Sequence, residues 1–434
     1  MRVLFTTWAW PSHYDPMVPL AWAMRAAGHE VRMASQPELL PAMRASGLPV
    51  TAIGRDVDVA GAYRAGRELL ERNGPPVVSG PPRQKSRRFT DHLADQIDTP
   101  ELVRGYQLLR DLENEAISTF RALWVNSPLA RPWRLSLYGE VAQAMLDDLL
   151  TLARSWKPDL IVFDPLTHAG PLAGKLLGIP TVRILFGPDV NAYLGPAGVG
   201  EVLDKHGLDD VDLHGDAAID PCPASLQFIN ENKPKPRIPV RYLPYSGIAE
   251  VPTWLLDPPD RPRICLTWGT TNHRLLGPAA RGPSELLDGC AKLVAERDAE
   301  LVLAIKADQR SLLPDLPANV RVVESAPLDD LLVSCQAIVH QGGAGTMFTA
   351  LRHGLPQIVL PHLFDAAANG FKIVATGAGQ MHAAVGISSA DVLAAGHELL
   401  DEPGYRASAQ RLQREIQAMP SPADAVAELL SVVG

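Results

Sequence analysis

A chain of 434 residues is too long for one ordinary domain and suits two or three of ~150 residues each. A hydrophobic content of 46% fits a globular protein with buried cores, and a net charge of −9 argues against nucleic acid, which wants a basic face. No stretch approaches the ~18 apolar residues of a membrane span, and Cys222, Cys265, Cys290 and Cys335 lie far apart with no CxxC spacing, so they read as structural thiols of a cytoplasmic protein.

The predicted elements alternate from the first residues. "RVLFTT" is a β-rich run, not the apolar core of a signal peptide, and "VPLAWAMRAAG" is an Ala-rich helix stopped by Gly28. "HEVRMAS", "LLPAMRASG" and "PVTAIG" repeat the unit as strand, helix and strand. The pattern dissolves around residues 55–135, where "NGPPVVSGPPRQKSRRF" is followed by helical stretches such as "TPELVRGYQLLRDLENEAISTF". It returns with the helix "GEVAQAMLDDLLTLARSW", the strand "PDLIVFD", a helix near "HAGPLAGKLLG" and the strand "PTVRILF". Residues 216–238 end a polar, Pro-rich stretch and are expected to link an N-terminal domain, 1–215, to a C-terminal domain, 239–434. A second series follows through "RICLTWGT", "PSELLDGCAKLVAER", "ELVLAIK", "VRVVES", "LDDLLVSC", "AIVHQ", "TMFTALRHG" and "PQIVLP". The final amphipathic helix, "PADAVAELLSVV", has the option of packing back on the N-terminal domain. Two doubly wound α/β domains with parallel sheets are expected.

In parallel sheets ligands sit at the carboxyl ends of strands, in the loops that enter helices. "HQGGAGT" puts Gly342, Gly343 and Gly345 in such a loop, with Thr346 opening a helix whose free N–H groups suit an anion. It lacks the lysine of a P-loop, so it fits a diphosphate held as a leaving group better than a triphosphate to be cleaved; a packing turn is the bland alternative. "CLTWGTT" ends a strand of the same domain at Gly269, Thr270 and Thr271, where hydroxyls would face the same ligand. In the first domain His13 of "PSHYDPM" and Asp164 of "PDLIVFDPL" stand at strand ends, placed as a base and the carboxylate that orients it. A helix-capping role for Asp164 is the plainer alternative, and Asp189 is a rival partner. Trp8, Trp10, Tyr14 and Met17 of the same loop suggest an apolar, aromatic acceptor surface.

Taken together, "VPLAWAMRAAGHEV", "ARSWKPDLIVFDPLTHAG", "RYLPYSG", "RICLTWGTT" and "HQGGAGTMFTALRHGLPQIVLP" carry a resemblance across nearly the whole chain. The sequence resembles bacterial glycosyltransferases of family 1, whose GT-B fold sets two Rossmann-like domains across a cleft. Among these it is most similar to the actinomycete enzymes that place deoxysugars on polyketide antibiotics. The resemblance implies inverting transfer from a dTDP-deoxysugar to a hydrophobic aglycone, through oxygen or carbon, with no metal or other cofactor. His13 matches the family's general base and Asp164 its partner. Gln341, Gly342, Gly343, Ala344, Gly345 and Thr346 match the diphosphate site, with Gly269, Thr270 and Thr271 facing it. Ala326 and Pro327 fall where backbone holds the base of the nucleotide, and Asp365 where an acid contacts the sugar. Gln341 replaces a histidine common among relatives, and Leu328 and Ala366 stand where relatives often carry glutamine. Several such transferases need an activating protein resembling a cytochrome P450, which residues 60–130 would receive, with an acceptor-lining or mobile loop as the alternative there; a homodimer is left open.

Three other readings compete. A nucleotide-sugar epimerase shares the architecture but would carry more charged groups around the sugar. A non-catalytic nucleotide-sugar-binding protein needs no base, which the pairing of His13 with Asp164 disfavours. A nicotinamide oxidoreductase is weakest, because "TTWAWPSH" is no GxGxxG.

Overall fold

The computed structural model describes residues 1–73, 89–93, 97–126, 137–193, 198–228, 235–277, 284–324 and 326–433. The first sheet contains β1 (Arg2–Thr6), β2 (Glu30–Ser35), β3 (Val50–Ala52), β4 (Leu160–Phe163), β5 (Thr181–Ile184), β6 (Ala217–Asp220) and β7 (Arg237–Pro239). Its order is β3-β2-β1-β4-β5-β6-β7, and every pairing is parallel. The second contains β8 (Arg263–Thr267), β9 (Glu300–Ile305), β10 (Val320–Glu324), β11 (Cys335–His340), β12 (Gln357–Val359) and β13 (Gly379–Met381). It runs β10-β9-β8-β11-β12-β13, again all parallel. This is the GT-B arrangement.

Burial on both faces explains the near-continuous apolar strands. Along β1, Val3 and Phe5 enter one core with Met24 and Met33, whereas Leu4 enters another with Val141 and Leu149. Alternation therefore survives inside a run that carries no polar partner to mark it. The helix Met17–Ala26 ends as expected, with Gly28 at φ +88° and His29 N–H donating to the Met24 carbonyl. All four cysteines are buried and unpaired, and burial raises each thiol's pKa.

The segment 216–238 does not behave as a linker. Ala217–Asp220 pairs with β5, and Arg237–Pro239 pairs with Ala218–Asp220, so the segment supplies the last two strands of the first sheet. An ion pair of Arg237 with Asp220 ties those strands together. The chain leaves the first sheet only after Pro239 and reaches the second at Arg263.

It also returns. Ala425, Val426 and Leu429 of the terminal helix Pro422–Val433 are buried in the first domain's core beside the helix Met17–Ala26. The two crossings touch: Arg241 N–H donates to the Pro420 carbonyl at 2.7 Å, and its guanidinium to the Gln417 carbonyl at 3.1 Å. A further bridge comes from the helix Pro100–Asn126, which packs on the helix Phe364–Ala375 of the second domain through Leu102, Leu109, Ala367, Ala368 and Phe371. Among the described residues no helix is long and apolar enough to cross a membrane.

Candidate functional site

In both sheets the strand order reverses at one place, between β1 and β4 in the first and between β8 and β11 in the second. Loops leaving such a pair diverge to opposite faces and open a crevice. His13 and Asp164 lie beyond β1 and β4, and Gly269–Thr271 and Gln341–Thr346 beyond β8 and β11, whereas Ala326 and Pro327 follow β10 and Asp365 follows β12; the two crevices face each other. Ser12 Oγ lies 3.4 Å from Thr271 Oγ1. A side chain on Gly187 would meet the Ala344 methyl at 2.7 Å, so only hydrogen lets β5's loop approach the second domain there.

On the first side His13 Nδ1 is 2.9 Å from Asp164 Oδ1. His13 is 8% exposed and Asp164 is fully buried, which makes the pair accessible only at the imidazole. Asp164 also accepts from the Leu166 N–H at 3.0 Å, from the Thr7 hydroxyl at 2.9 Å and from the Thr167 hydroxyl. Burial is the largest influence on this carboxyl and pushes its pKa up. The His13 hydrogen bond and charge, with Thr167 and the Leu166 amide, outweigh it and hold the group below the ordinary carboxylate range. An ionised Asp164 accepts from Nδ1–H, which makes Nε2 the nitrogen left to exchange a proton. The rival is otherwise engaged: Asp189 pairs with Arg183 at 2.6 Å and stands 3.6 Å from Arg237.

Aromatic rings frame the imidazole. Trp8 meets His13 edge-on at 5.2 Å, stacks on Trp10 at 4.7 Å, and takes Tyr138 edge-on at 5.9 Å. Phe186 lies 4.3 Å from the His13 ring. Phe186 and Tyr138 were missed in the sequence, although Phe186 of "ILFGPD" stands at a strand's carboxyl end. Tyr14 and Met17, expected on the acceptor surface, are instead fully buried in the sheet's core; the Tyr14 hydroxyl donates to Ser46 Oγ at 2.6 Å. In the short helix Pro11–Tyr14 successive side chains point about 100° apart, so the Tyr14 ring turns into the core while its neighbour His13 reaches Asp164.

On the second side the loop after β11 is built for close backbone approach. Gly342 has φ +91°, and a Cβ there would sit 2.7 Å from the Ala366 carbonyl. Its N–H donates to His340 Nδ1 at 3.0 Å, while His340 Nε2 and Gln357 Oε1 are 2.8 Å apart. That pattern requires a neutral His340 with its proton on Nε2. Burial, against a smaller opposing pull from Gln357, lowers its pKa to about 4. Asn369 Nδ2 donates to the Gly342 carbonyl at 2.8 Å, which fixes the loop from behind. Gly343 then starts the helix Ala344–Arg352 with no side chain capping its N–H groups. Those free donors, beside Gly345 and Thr346, are of the kind that suits an anion. The Gln341 side chain lies against Gly269, whose φ of +65° and bare Cα admit it, and its buried Oε1 has no partner. Gln309 Nε2 donates to the Gly269 carbonyl at 3.4 Å. Thr270 precedes and Thr271 begins the short helix Thr271–Leu276.

Asp365 opens the helix Phe364–Ala375 at the cleft. Burial raises its carboxyl pKa, opposed by the Ala366 N–H, by the charge of His13 and by its own N–H, so this acid senses the His13 side electrostatically. Pro327 is the N-cap of the helix Leu328–Leu332, and Ala326 packs with Leu328 beside Leu331. Ala366 is 3% exposed beneath Gly342.

Comparison with known proteins agrees with this geometry. Models of the erythromycin biosynthesis protein CIII-like N-terminal domain match residues 22–75 and 131–269, and those of its C-terminal domain match 286–432. The chain is 34% identical to 10-deoxymethynolide desosaminyltransferase of Streptomyces venezuelae, over 99% of this chain and 96% of that one. It is 36% identical to aklavinone 7-beta-L-rhodosaminyltransferase of Streptomyces galilaeus, over 98% and 94%. The crystal structure of glycosyltransferase VinC in complex with dTDP superposes with a TM-score of 0.71 at 31% identity, covering 100% of this chain and 99% of that one. These similarities support neither an epimerase nor a non-catalytic binding protein. With both family models matching and with relatives matched over nearly their whole length, the chain belongs to the erythromycin biosynthesis protein CIII-like family of GT-B glycosyltransferases.

Proposed function

We propose that the chain transfers a deoxysugar from dTDP to a polyketide-type aglycone with inversion at the anomeric carbon. The observation that carries this is the placement of the His13–Asp164 pair opposite the uncapped helix start at Gly343. His13 Nε2 takes the proton of an acceptor hydroxyl as its oxygen bonds to the sugar carbon. The bond from that carbon to the diphosphate oxygen breaks, and its electron pair leaves with dTDP. Glycine N–H groups and the helix dipole stabilise the departing charge without a lysine, because phosphorus is not attacked. Where the sugar goes to an aromatic carbon, the same base ionises the neighbouring phenol. Asp365 contacts the sugar, and Ala326 and Pro327 hold the nucleotide base; Trp8 and Trp10, 4% and 3% exposed, are packed into the core behind His13 and do not offer the acceptor surface expected of them. The deoxysugar and aglycone classes follow those named for the relatives, and dTDP follows the VinC complex.

The methyl of Ala366, where a glutamine amide would serve a sugar hydroxyl, supports a deoxygenated donor. No metal is needed in this reading, so activity should survive EDTA. The experiment compares turnover of a dTDP-2,6-dideoxyhexose and of UDP-glucose, in wild type and in His13→Ala. Wild type should use the first and neglect the second. His13→Ala should lose ~10²–10⁴-fold in kcat while binding dTDP as before, because the base and the cradle lie on different domains. Equal use of both donors overturns the deoxysugar assignment, and loss of dTDP binding in His13→Ala overturns the role of His13.

The same reading places an activating protein against residues 60–130, partly outside the described residues. The helix Pro100–Asn126 rests on the helix that Asp365 opens, so pressure there reaches the sugar site. Stimulation by the neighbouring gene product, lost on placing a charge at exposed Val103, is the expected outcome.

A further inference from the structure

The helix Thr271–Leu276 belongs to the second domain by sequence, and Asn272 holds it there through His362, yet Thr271, Arg274 and Leu275 reach the first. Arg274 Nη2 contacts Glu38 Oε1 at 2.5 Å, and the guanidinium lies 4.3 Å over the Trp10 ring. The Arg274 carbonyl accepts from Arg64 at 2.7 Å, and Leu275 packs against the core that holds Trp8 and Trp10. Trp10 is stacked on Trp8, whose edge meets His13. An unbroken line of contacts thus runs from the Gly269–Thr271 loop through Arg274, Trp10 and Trp8 to the base. A planar guanidinium is suited to this place, since one group both stacks on an indole and pairs with a carboxylate; a lysine does the two poorly.

We propose that Arg274 is a positioning residue that sets the loop carrying the base in register with the loop facing the diphosphate, so that transfer depends on it and donor binding does not. The proposal rests on the transferase reading above and adds the coupling between its two halves. Half of this machinery is the donor's own domain, which Arg274 leaves; the other half is the acceptor loop, which it joins.

The test uses Arg274→Met and Glu38→Gln, singly and together, in the full chain. Each single variant should lower kcat by roughly fivefold, the scale of a half-exposed ion pair with a cation–π contact. The double variant should be no slower than Arg274→Met alone, because both changes cut the same line. Calorimetric dTDP affinity should stay near the wild-type value. Unchanged kcat, additive losses, or a fall in dTDP affinity with kcat preserved would each overturn the proposal. Hydrogen exchange gives a readout free of turnover: dTDP should slow exchange of the Trp8–His13 amides in wild type and not in Arg274→Met. Slowing in both proteins would end the coupling claim even if no dTDP-sugar is ever turned over, which separates its failure from that of the transferase reading.

Discussion

His340 shows how one buried side chain shapes a phosphate cradle it never has to touch. Neutral, it accepts from Gly342 and donates to Gln357; protonated, it would lose the first of these bonds and carry a charge into a dry core. Its folded pKa of about 4 lies below the ordinary 6.5. A lowered pKa means that the unfolded chain binds the proton more readily. The stability from this group is therefore complete above about pH 6.5 and is lost as pH falls through 4, on the order of 3 kcal/mol in total. His168, partly buried with its pKa lowered to about 4, adds to the same window. The melting temperature should fall between pH 6.5 and 4, and the fall should be shallower in His340→Asn. An unchanged slope would show that His340 binds its proton equally well in the folded and unfolded chain. At this scale the sequence revealed His13 and Asp164 because a strand end is a readable position. It did not reveal Phe186, Tyr138 or Arg274, whose meaning lies in rings and carboxylates brought from distant segments. Tyr14 and Met17 were misread because composition does not say which way a single helical turn faces.

Among the elements, the loop after β11 is the one most constrained by backbone. Gly342→Ala must hold φ at +91° and force a methyl towards the Ala366 carbonyl. Strain of ~1–3 kcal/mol, with displacement of Ala366, is expected. Because the loop precedes the helix start, dTDP affinity should fall by about tenfold or more, each tenfold being ~1.4 kcal/mol. The His13–Asp164 pair, on the other domain, should be undisturbed. Calorimetry with dTDP decides it: wild-type affinity in Gly342→Ala would mean that the loop is a packing turn. The βα units around this loop were legible because long apolar strands and Gly-ended helices repeat in order. Strands β6 and β7 were not. At four and three residues, with Asp220 and Pro221, Pro223, Pro236 and Pro239 in or beside them, they carry no periodicity and are strands only because β5 offers an edge to pair with.

For the whole molecule, the terminal helix decides how the domains hold together. Val426 and Leu429 bury their side chains in the first core, each contributing ~1.5–3 kcal/mol. Truncation before Ser421 should lower the melting temperature and open the helix Met17–Ala26 to proteolysis. A truncated chain that melts like the full one would show that the helix is an ornament. The sequence pointed to two domains and a cleft, but the contact of helix Pro100–Asn126 with the second domain arises in the segment where the βα rhythm stops. The return of the chain has a mechanical meaning as well. Two bodies tied by a single strand can tumble freely, whereas two passages bonded to each other at Arg241 and Pro420 leave an axis through that point. With the helix Pro100–Asn126 bearing on the second domain as a third tie, any swing about that axis has to slide this contact and part those at Ser12, Thr271 and Arg274.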